Sequence, residues 1–228
     1  MASTNFETCK LAFNINANIR AALRNVSSLL VAFAKTIQNQ DGKDKLLKFI
    51  QYFAKIQHLS HKSDTNPKFY ATLASTISLT RRTVKLGNWL SQNIIPSIQC
   101  TSMIELLFQI TDAMSSICDD ICCLYRLNII HSKSLYLWAD VNSSRFWLIR
   151  ILRDIYKWNR KIYSKGECIN EEQHISSDEL LALIKVYMDF GFCWYCVIEA
   201  EFSAKFQQYC GLLAALFAVI RKTSKEII

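Results

Sequence analysis

Turn-forming residues are scarce in this sequence of 228 residues, which contains five glycines and two prolines. Sandwiches, barrels and doubly wound sheets need many tight turns, and such turns favour glycine and proline. The scarcity disfavours those folds and predicts long helices joined by few connections. Acidic residues are also in the minority, because 27 Lys and Arg residues against 19 Asp and Glu residues give a net charge of +8.

Long apolar runs are lacking as well, although 51% of the residues are hydrophobic and the mean hydropathy is +0.10. The longest strongly apolar, uncharged run is Phe206–Ile220, whose 15 residues would rise about 22 Å against a hydrocarbon core of about 30 Å. Leu180–Ile198 is apolar but is interrupted by Lys185 and Asp189. We therefore expect Phe206–Ile220 to be the only run able to cross or enter a bilayer, with a buried hairpin of the two C-terminal segments as the alternative.

Signatures of catalysis and metal binding are missing. The nine cysteines are odd in number and irregularly spaced, which indicates reduced thiols in a cytosol-facing protein. Cys193 and Cys196 have a dithiol spacing without a βαβ context, so a place in the core is favoured over redox chemistry. There is no glycine-rich phosphate loop and no serine elbow. The sequence predicts a protein that is not an enzyme and has no cofactor or metal.

The spacing of the apolar residues predicts helices throughout. They recur three and four positions apart, as on one face of a helix. Six segments show this pattern: Ile19–Ile37, Asp44–Leu59, Pro67–Ser91, Pro96–Leu127, Ser143–Tyr163 and Ser176–Lys222. Ser176 and Glu179 form a capping box at the start of the last segment. The predicted fold class is all-α, a bundle of long amphipathic helices associated with a membrane, with a weakly hydrophobic C-terminal segment.

Composition divides the chain into four parts. These are an N-terminal amphipathic helix extension (1–41), a helical core with membrane-active helices (42–163), a loop (164–177) and a C-terminal apolar helical segment with a basic tail (178–228). The tail contains Arg221, Lys222 and Lys225, and such clusters oppose translocation across a membrane. We therefore expect the C-terminus to face the cytosol.

The segment Arg145–Lys165 is strongly basic and amphipathic, with seven cations against the single acid Asp154. A helical wheel separates a basic arc from an apolar arc. The basic arc contains Arg150, Arg153, Lys157, Arg160 and Lys161, and the apolar arc contains Trp147, Ile151, Leu152, Ile155, Trp158 and Ile162. Such a helix can lie in the interface of an anionic membrane. A bundle helix with a solvated basic face, or a calmodulin-type or phosphate-binding helix, would show the same pattern.

The segment Thr72–Leu90 is amphipathic in the same sense. Its apolar half-circle consists of Leu73, Ile77, Leu79, Val84, Leu86 and Leu90, whereas Arg81, Arg82 and Lys85 face away from it. Threonines broaden the apolar side, so it suits a dry core less well than a leucine-rich face would. This composition slightly favours an interfacial role.

Several stretches in this order resemble the peroxin-eleven family of peroxisomal membrane proteins. Gly42–Lys55 is similar to the family's opening, in which an acid and a base precede a leucine-rich helix containing Gln-Tyr. Arg81–Gly87 resembles its basic Arg-x-x-x-Arg-Leu-Gly helix, with Lys85 in place of the second arginine. The remaining similar stretches are Ile117–Asp120 with Leu124–Leu127, Trp138–Asp140 with Arg145–Leu148, and Gly211–Lys222.

The resemblance implies a non-enzymatic protein of the peroxisomal, or glycosomal, membrane. An amphipathic helix would wedge into the cytosolic leaflet, curve and elongate the organelle, and self-associate before a dynamin-type GTPase and its adaptor divide it. By analogy with the family this helix is Thr72–Leu90. Its inserting residues would be Leu73, Ile77, Leu79, Val84 and Leu86, and Arg81, Arg82 and Lys85 would bind headgroups of anionic phospholipid. The second membrane candidate comprises Trp147, Arg150, Arg153, Lys157, Trp158, Arg160 and Lys161.

Two other classes of function remain open on the sequence. The first is a pore for metabolites, for which polar residues on apolar helices, namely Gln109, Asp112 and Asp189, are the only indication. The second is a soluble helical module that binds calmodulin or nucleic acid through Arg145–Lys165. The family resemblance favours a membrane as partner and no nucleic acid.

Overall fold

The structure, a computed structural model, describes residues 26–60, 67–88, 90, 102–167, 176–198 and 204–227. These ranges contain helices and no strand, so the all-α prediction is confirmed. The seven helices named within these ranges are α1 (Val26–Gln38), α2 (Gln40–Ser60), α3 (Pro67–Val84), α4 (Met103–Arg126), α5 (Lys133–Glu167), α6 (Ser177–Ile198) and α7 (Ala204–Ile227).

Six of the helices form a closed ring. Each of α3, α4, α5 and α6 packs against the helix before it and the helix after it in the sequence, and α7 returns to pack against α2. The first helix joins this ring at α7, where the Thr36 hydroxyl lies 3.4 Å from the Thr223 hydroxyl. Except for α7 and α2, the neighbours in the ring are also neighbours in sequence.

The helix ends differ from the predicted ones for local reasons. α3 ends at Val84 rather than Ser91, and the turn that follows contains Gly87 with φ +78°, a backbone conformation that glycine adopts readily. α5 begins at Lys133 rather than Ser143. The Ser143 hydroxyl, which lies within this helix, donates to Asp119 on α4 at 3.0 Å.

Other boundaries were predicted well or lie outside the described residues. The capping box at the start of α6 is confirmed, since the Ser176 hydroxyl and the Glu179 carboxylate each accept the other's backbone N–H. The predicted last segment is a hairpin of two helices, α6 and α7. Residues 1–25, the predicted start at Pro96 and most of the predicted loop 164–177 lie outside the described residues.

Small side chains fill the interior. Cys118 and Cys122 of α4 are fully buried against Ala139 of α5. On the opposite side of the ring Gly211 of α7 lies against the Tyr52 ring of α2, and a β-carbon at Gly211 would come within 2.7 Å of that ring. The helices therefore approach one another closely, and many large apolar side chains remain on the outer surface.

Candidate functional site

The apolar side chains predicted to insert from α3 have two different environments. Leu73, Ile77 and Leu79 are half-buried, whereas Val84 is 51% exposed and Leu86, in the turn after the helix, is 42% exposed. The C-terminal end of α3 thus offers apolar surface directly, and the rest of the predicted inserting face is partly covered.

Asp44 of α2 holds two of the cations predicted to bind lipid headgroups. The Arg81 Nε donates to Asp44 Oδ1 at 2.8 Å and its Nη1 donates to Gln51 Oε1 at 2.7 Å, while Lys85 Nζ lies 2.5 Å from Asp44 Oδ2. Burial alone would raise the pKa of Asp44, but the hydrogen bond and charge of Arg81, together with Lys85, hold this pKa below 3.8. In this conformation Arg81 and Lys85 share the single negative charge of Asp44.

The third predicted headgroup cation, Arg82, contacts α4. Its Nη2 lies 3.7 Å from Asp119 Oδ1, and the neighbouring Asp120 accepts the Gly87 backbone N–H at 2.9 Å. The adjacent aspartates of α4 therefore fasten the end of α3 to the bundle.

The basic arc of α5 contains both paired and unpaired cations. Arg153 pairs with Asp112 on α4 at 3.3 Å, which Arg150 approaches to 4.0 Å, and Lys161 pairs with Glu179 on α6 at 2.6 Å. Lys157 and Arg160 are exposed. Across the described ranges the structure shows no ion pair for these two side chains. The arc thus presents two cations that are available to an external anion.

The tryptophans of this second candidate do not face outward together. Trp147 packs against Phe192 of α6 with ring centroids 5.8 Å apart, and Trp158 lies beneath Lys161, 5.2 Å from its ammonium group. Trp147 is therefore part of the packing between α5 and α6.

The exposed apolar surface beside the free cations comes from two helices. We call it the α4–α5 face, and it comprises Ile104, Leu107 and Ile110 of α4 and Leu152, Tyr156, Lys157 and Arg160 of α5. Sequence reasoning found Leu152, Lys157 and Arg160 and missed Tyr156 and the α4 residues. The signal was present, because Ile104, Leu107 and Ile110 are three residues apart on a helix.

The helix best suited to cross a membrane is not the predicted one. Within the described residues, the helix that is long and apolar enough to cross a membrane, by length and composition, is α6. Its most apolar 18 residues have a mean hydropathy of 1.6, and 17% of them are buried. The prediction that Phe206–Ile220 is the only such run is wrong. Gln207 and Gln208 lower the hydropathy of α7, while the charge of Asp189 in α6 is compensated by Lys48 and Lys185 at 3.1 and 2.7 Å.

Most of the residues that suggested a pore or a dithiol site in the sequence have partners within the bundle. Asp112 and Asp189 are both ion-paired, and the buried Gln109 Oε1 has no hydrogen-bond partner among the described residues. Cys193 donates to the Ser144 carbonyl at 3.3 Å, and Cys196 accepts from Gln207 at 2.9 Å. The two thiols thus have separate partners on α5 and α7.

Together the fold and the surface define a class, an all-α bundle with an apolar and basic outer face. The chain belongs to the Peroxisomal biogenesis factor 11 (PEX11) family, whose family model matches residues 30–187. The resemblance seen in the sequence is thereby confirmed, and the chain is a peroxisomal membrane protein with a role in peroxisome biogenesis and proliferation. No curated protein and no solved structure gives a significant match.

Proposed function

We propose that this protein binds the cytosolic leaflet of the peroxisomal membrane through amphipathic helix faces and thereby curves and elongates the organelle. The observation that carries the proposal is the α4–α5 face, where exposed apolar side chains adjoin Lys157 and Arg160. An apolar face buried in the headgroup region expands one leaflet, and each nearby cation contributes about 1 kcal/mol on an anionic surface.

The end of α3 is the second proposed contact, as the family resemblance implies. Val84 and Leu86 are already exposed there. Deeper insertion of Leu73, Ile77 and Leu79 requires α3 to leave α2, so Arg81 and Lys85 would exchange Asp44 for lipid phosphates. We propose that α4–α5 binds first because its cations need no such exchange.

The family resemblance and the basic tail support a proposal on partners and orientation. We propose that the protein self-associates on the membrane and precedes a dynamin-type GTPase and its adaptor in organelle division. The cations Arg221, Lys222 and Lys225 would keep the C-terminus in the cytosol.

The test uses the purified full chain with vesicles of phosphatidylcholine containing phosphatidic acid. The variant Leu107→Asp/Ile110→Asp places two charges on side chains that are 59% and 49% exposed, so the bundle tolerates them. We expect the parent to sediment with the vesicles and form tubules, and the variant to lose both activities.

The matched control is Phe69→Asp/Val31→Asp, which also adds two charges, at apolar residues of α3 and α1 that are 58% and 54% exposed. It should bind and tubulate like the parent. Equal loss in the control, or full activity of the Leu107→Asp/Ile110→Asp variant, would overturn the assignment to the α4–α5 face.

A further inference from the structure

A groove opens within the α4–α5 face. It has a volume of about 830 Å³ and lies between the N-terminal half of α4 and the C-terminal half of α5. Its walls are apolar and are formed by Ile104 and Phe108 from α4 and by Ile149, Leu152 and Tyr156 from α5. A space of this size and lining suits a hydrocarbon chain or a similar apolar group.

Four cations of α5 stand along this groove, namely Arg153, Lys157, Arg160 and Lys161. Lys157 is four residues from both Arg153 and Lys161 and three residues from Arg160, so it neighbours each of them on the helix surface. Arg153 and Lys161 already hold Asp112 and Glu179. Lys157 and Arg160 have no carboxylate partner among the residues that the structure describes. The groove therefore combines an apolar cavity with two uncompensated positive charges at its edge.

We propose that this groove binds a single anionic phospholipid, with one acyl chain against the apolar walls and the phosphate between Lys157 and Arg160. The charge at the edge selects an anionic ligand and the walls select an apolar one, and a phospholipid is both. This inference rests on the proposed function, because the bilayer in contact with the α4–α5 face would supply the lipid. The proposed site would hold one lipid per chain, in addition to the many lipids that the α4–α5 face contacts in a membrane.

The experiment is native mass spectrometry of the full chain in a neutral detergent, titrated with dioleoyl phosphatidic acid or dioleoyl phosphatidylcholine. The two lipids carry the same chains and differ in net charge. We expect one phosphatidic acid to be retained per chain, and phosphatidylcholine to be retained much more weakly. An equal affinity for the two lipids would overturn the proposal.

Variants separate the two halves of the site. Lys157→Gln/Arg160→Gln should weaken retention of phosphatidic acid by roughly 30-fold, since two cations near an anionic headgroup are lost. Leu152→Trp should block the groove while leaving every charge in place, and Ile149→Trp provides a second blocking variant at another exposed position. Lys133→Gln/Arg145→Gln removes two exposed charges of the same helix outside the groove and should retain the lipid like the parent.

The outcomes distinguish this site from membrane binding in general. Leu152→Trp should still sediment with anionic vesicles, because the rest of the α4–α5 face is intact. If the Lys133→Gln/Arg145→Gln control lost as much lipid as Lys157→Gln/Arg160→Gln, or if both tryptophan variants retained it, the site would not exist. Retention of neither lipid by a parent that binds vesicles would overturn the site and leave the proposed function standing. A parent that retains one phosphatidic acid yet ignores vesicles would overturn the proposed function and leave the site standing.

Discussion

Asp44 connects the fold to the proposed activity at the scale of single residues. Its carboxylate is 15% exposed and contacts both Arg81, which is 16% exposed, and Lys85. A largely buried carboxylate needs such partners, because desolvation otherwise opposes its charge. The same three residues hold α3 against α2. Any movement of α3 into a membrane must therefore compensate for their separation.

We expect Asp44→Asn to destabilise the bundle by about 1–3 kcal/mol, since it leaves Arg81 with a weaker partner in a largely buried position. Urea unfolding followed by circular dichroism measures this change. The matched control is Asp41→Asn on the same helix, whose carboxylate is 56% exposed and pairs with Lys45. It should cost less than about 1 kcal/mol. Equal costs for the two variants would show that Asp44 has no special role.

The same pair predicts a dependence on pH. The pKa of Asp44 is lower in the fold than the ordinary value of 3.8. The stabilisation is therefore complete above pH 3.8 and is lost as the pH falls through the lower pKa of the folded state. The difference in unfolding free energy between parent and Asp44→Asn should shrink on acidification. A difference that grew with falling pH would contradict this assignment.

At the scale of helices, what could be predicted depended on distance along the chain. Amphipathic faces are local patterns, so the periodicity found the helices and placed Arg81 opposite the apolar arc of α3. A helical wheel does not show whether that opposite side meets water or another helix. Asp44 lies 37 residues before Arg81, and no local pattern connects the two. In the same way Leu152, Lys157 and Arg160 of the α4–α5 face lie in a predicted amphipathic segment, but no local pattern shows that the exposed side chains of α4 lie beside them.

The end of α3 can be tested separately from the α4–α5 face. Val84→Asp alters a side chain that is 51% exposed, so helix content measured by circular dichroism should be unchanged. If this end inserts, the variant full chain should tubulate anionic vesicles less than the parent does, because a charge then enters the apolar layer. Tubule counts by negative-stain electron microscopy provide the measurement.

The matched control for this experiment is Val31→Asp in α1, where the valine is 54% exposed. It should leave tubulation unchanged. Full activity of Val84→Asp would show that α3 serves as a helix of the bundle and that the α4–α5 face acts without it.

At the scale of the whole molecule, small residues pack the interior of the ring tightly, and many large apolar side chains are exposed on its outer surface. Family membership places the protein at the peroxisomal membrane. The start of α6 also contacts the C-terminal end of α7. Arg221 donates to Asp178 at 2.7 Å, and Lys225 lies 3.6 Å from the same carboxylate. The start of α6 and the basic tail therefore lie on the same side of the molecule.

A tag placed after Ile228 should be digested by protease added to intact peroxisomes, since the basic tail opposes translocation. A lumenal reporter protein in the same preparation should stay protected until detergent is added. Protection of the tag to the same degree as the reporter would place the C-terminus in the lumen.

The central claim is that the outer face of the bundle elongates peroxisomes, and peroxisome length in cells tests it most directly. The full chain and the Leu107→Asp/Ile110→Asp variant would be expressed at equal levels as fluorescent fusions and imaged with a peroxisomal marker. We predict that both coincide with the marker, that the parent lengthens the organelles and that the variant leaves them round. Elongation by the variant equal to that by the parent, or no elongation by the parent at all, would contradict the account.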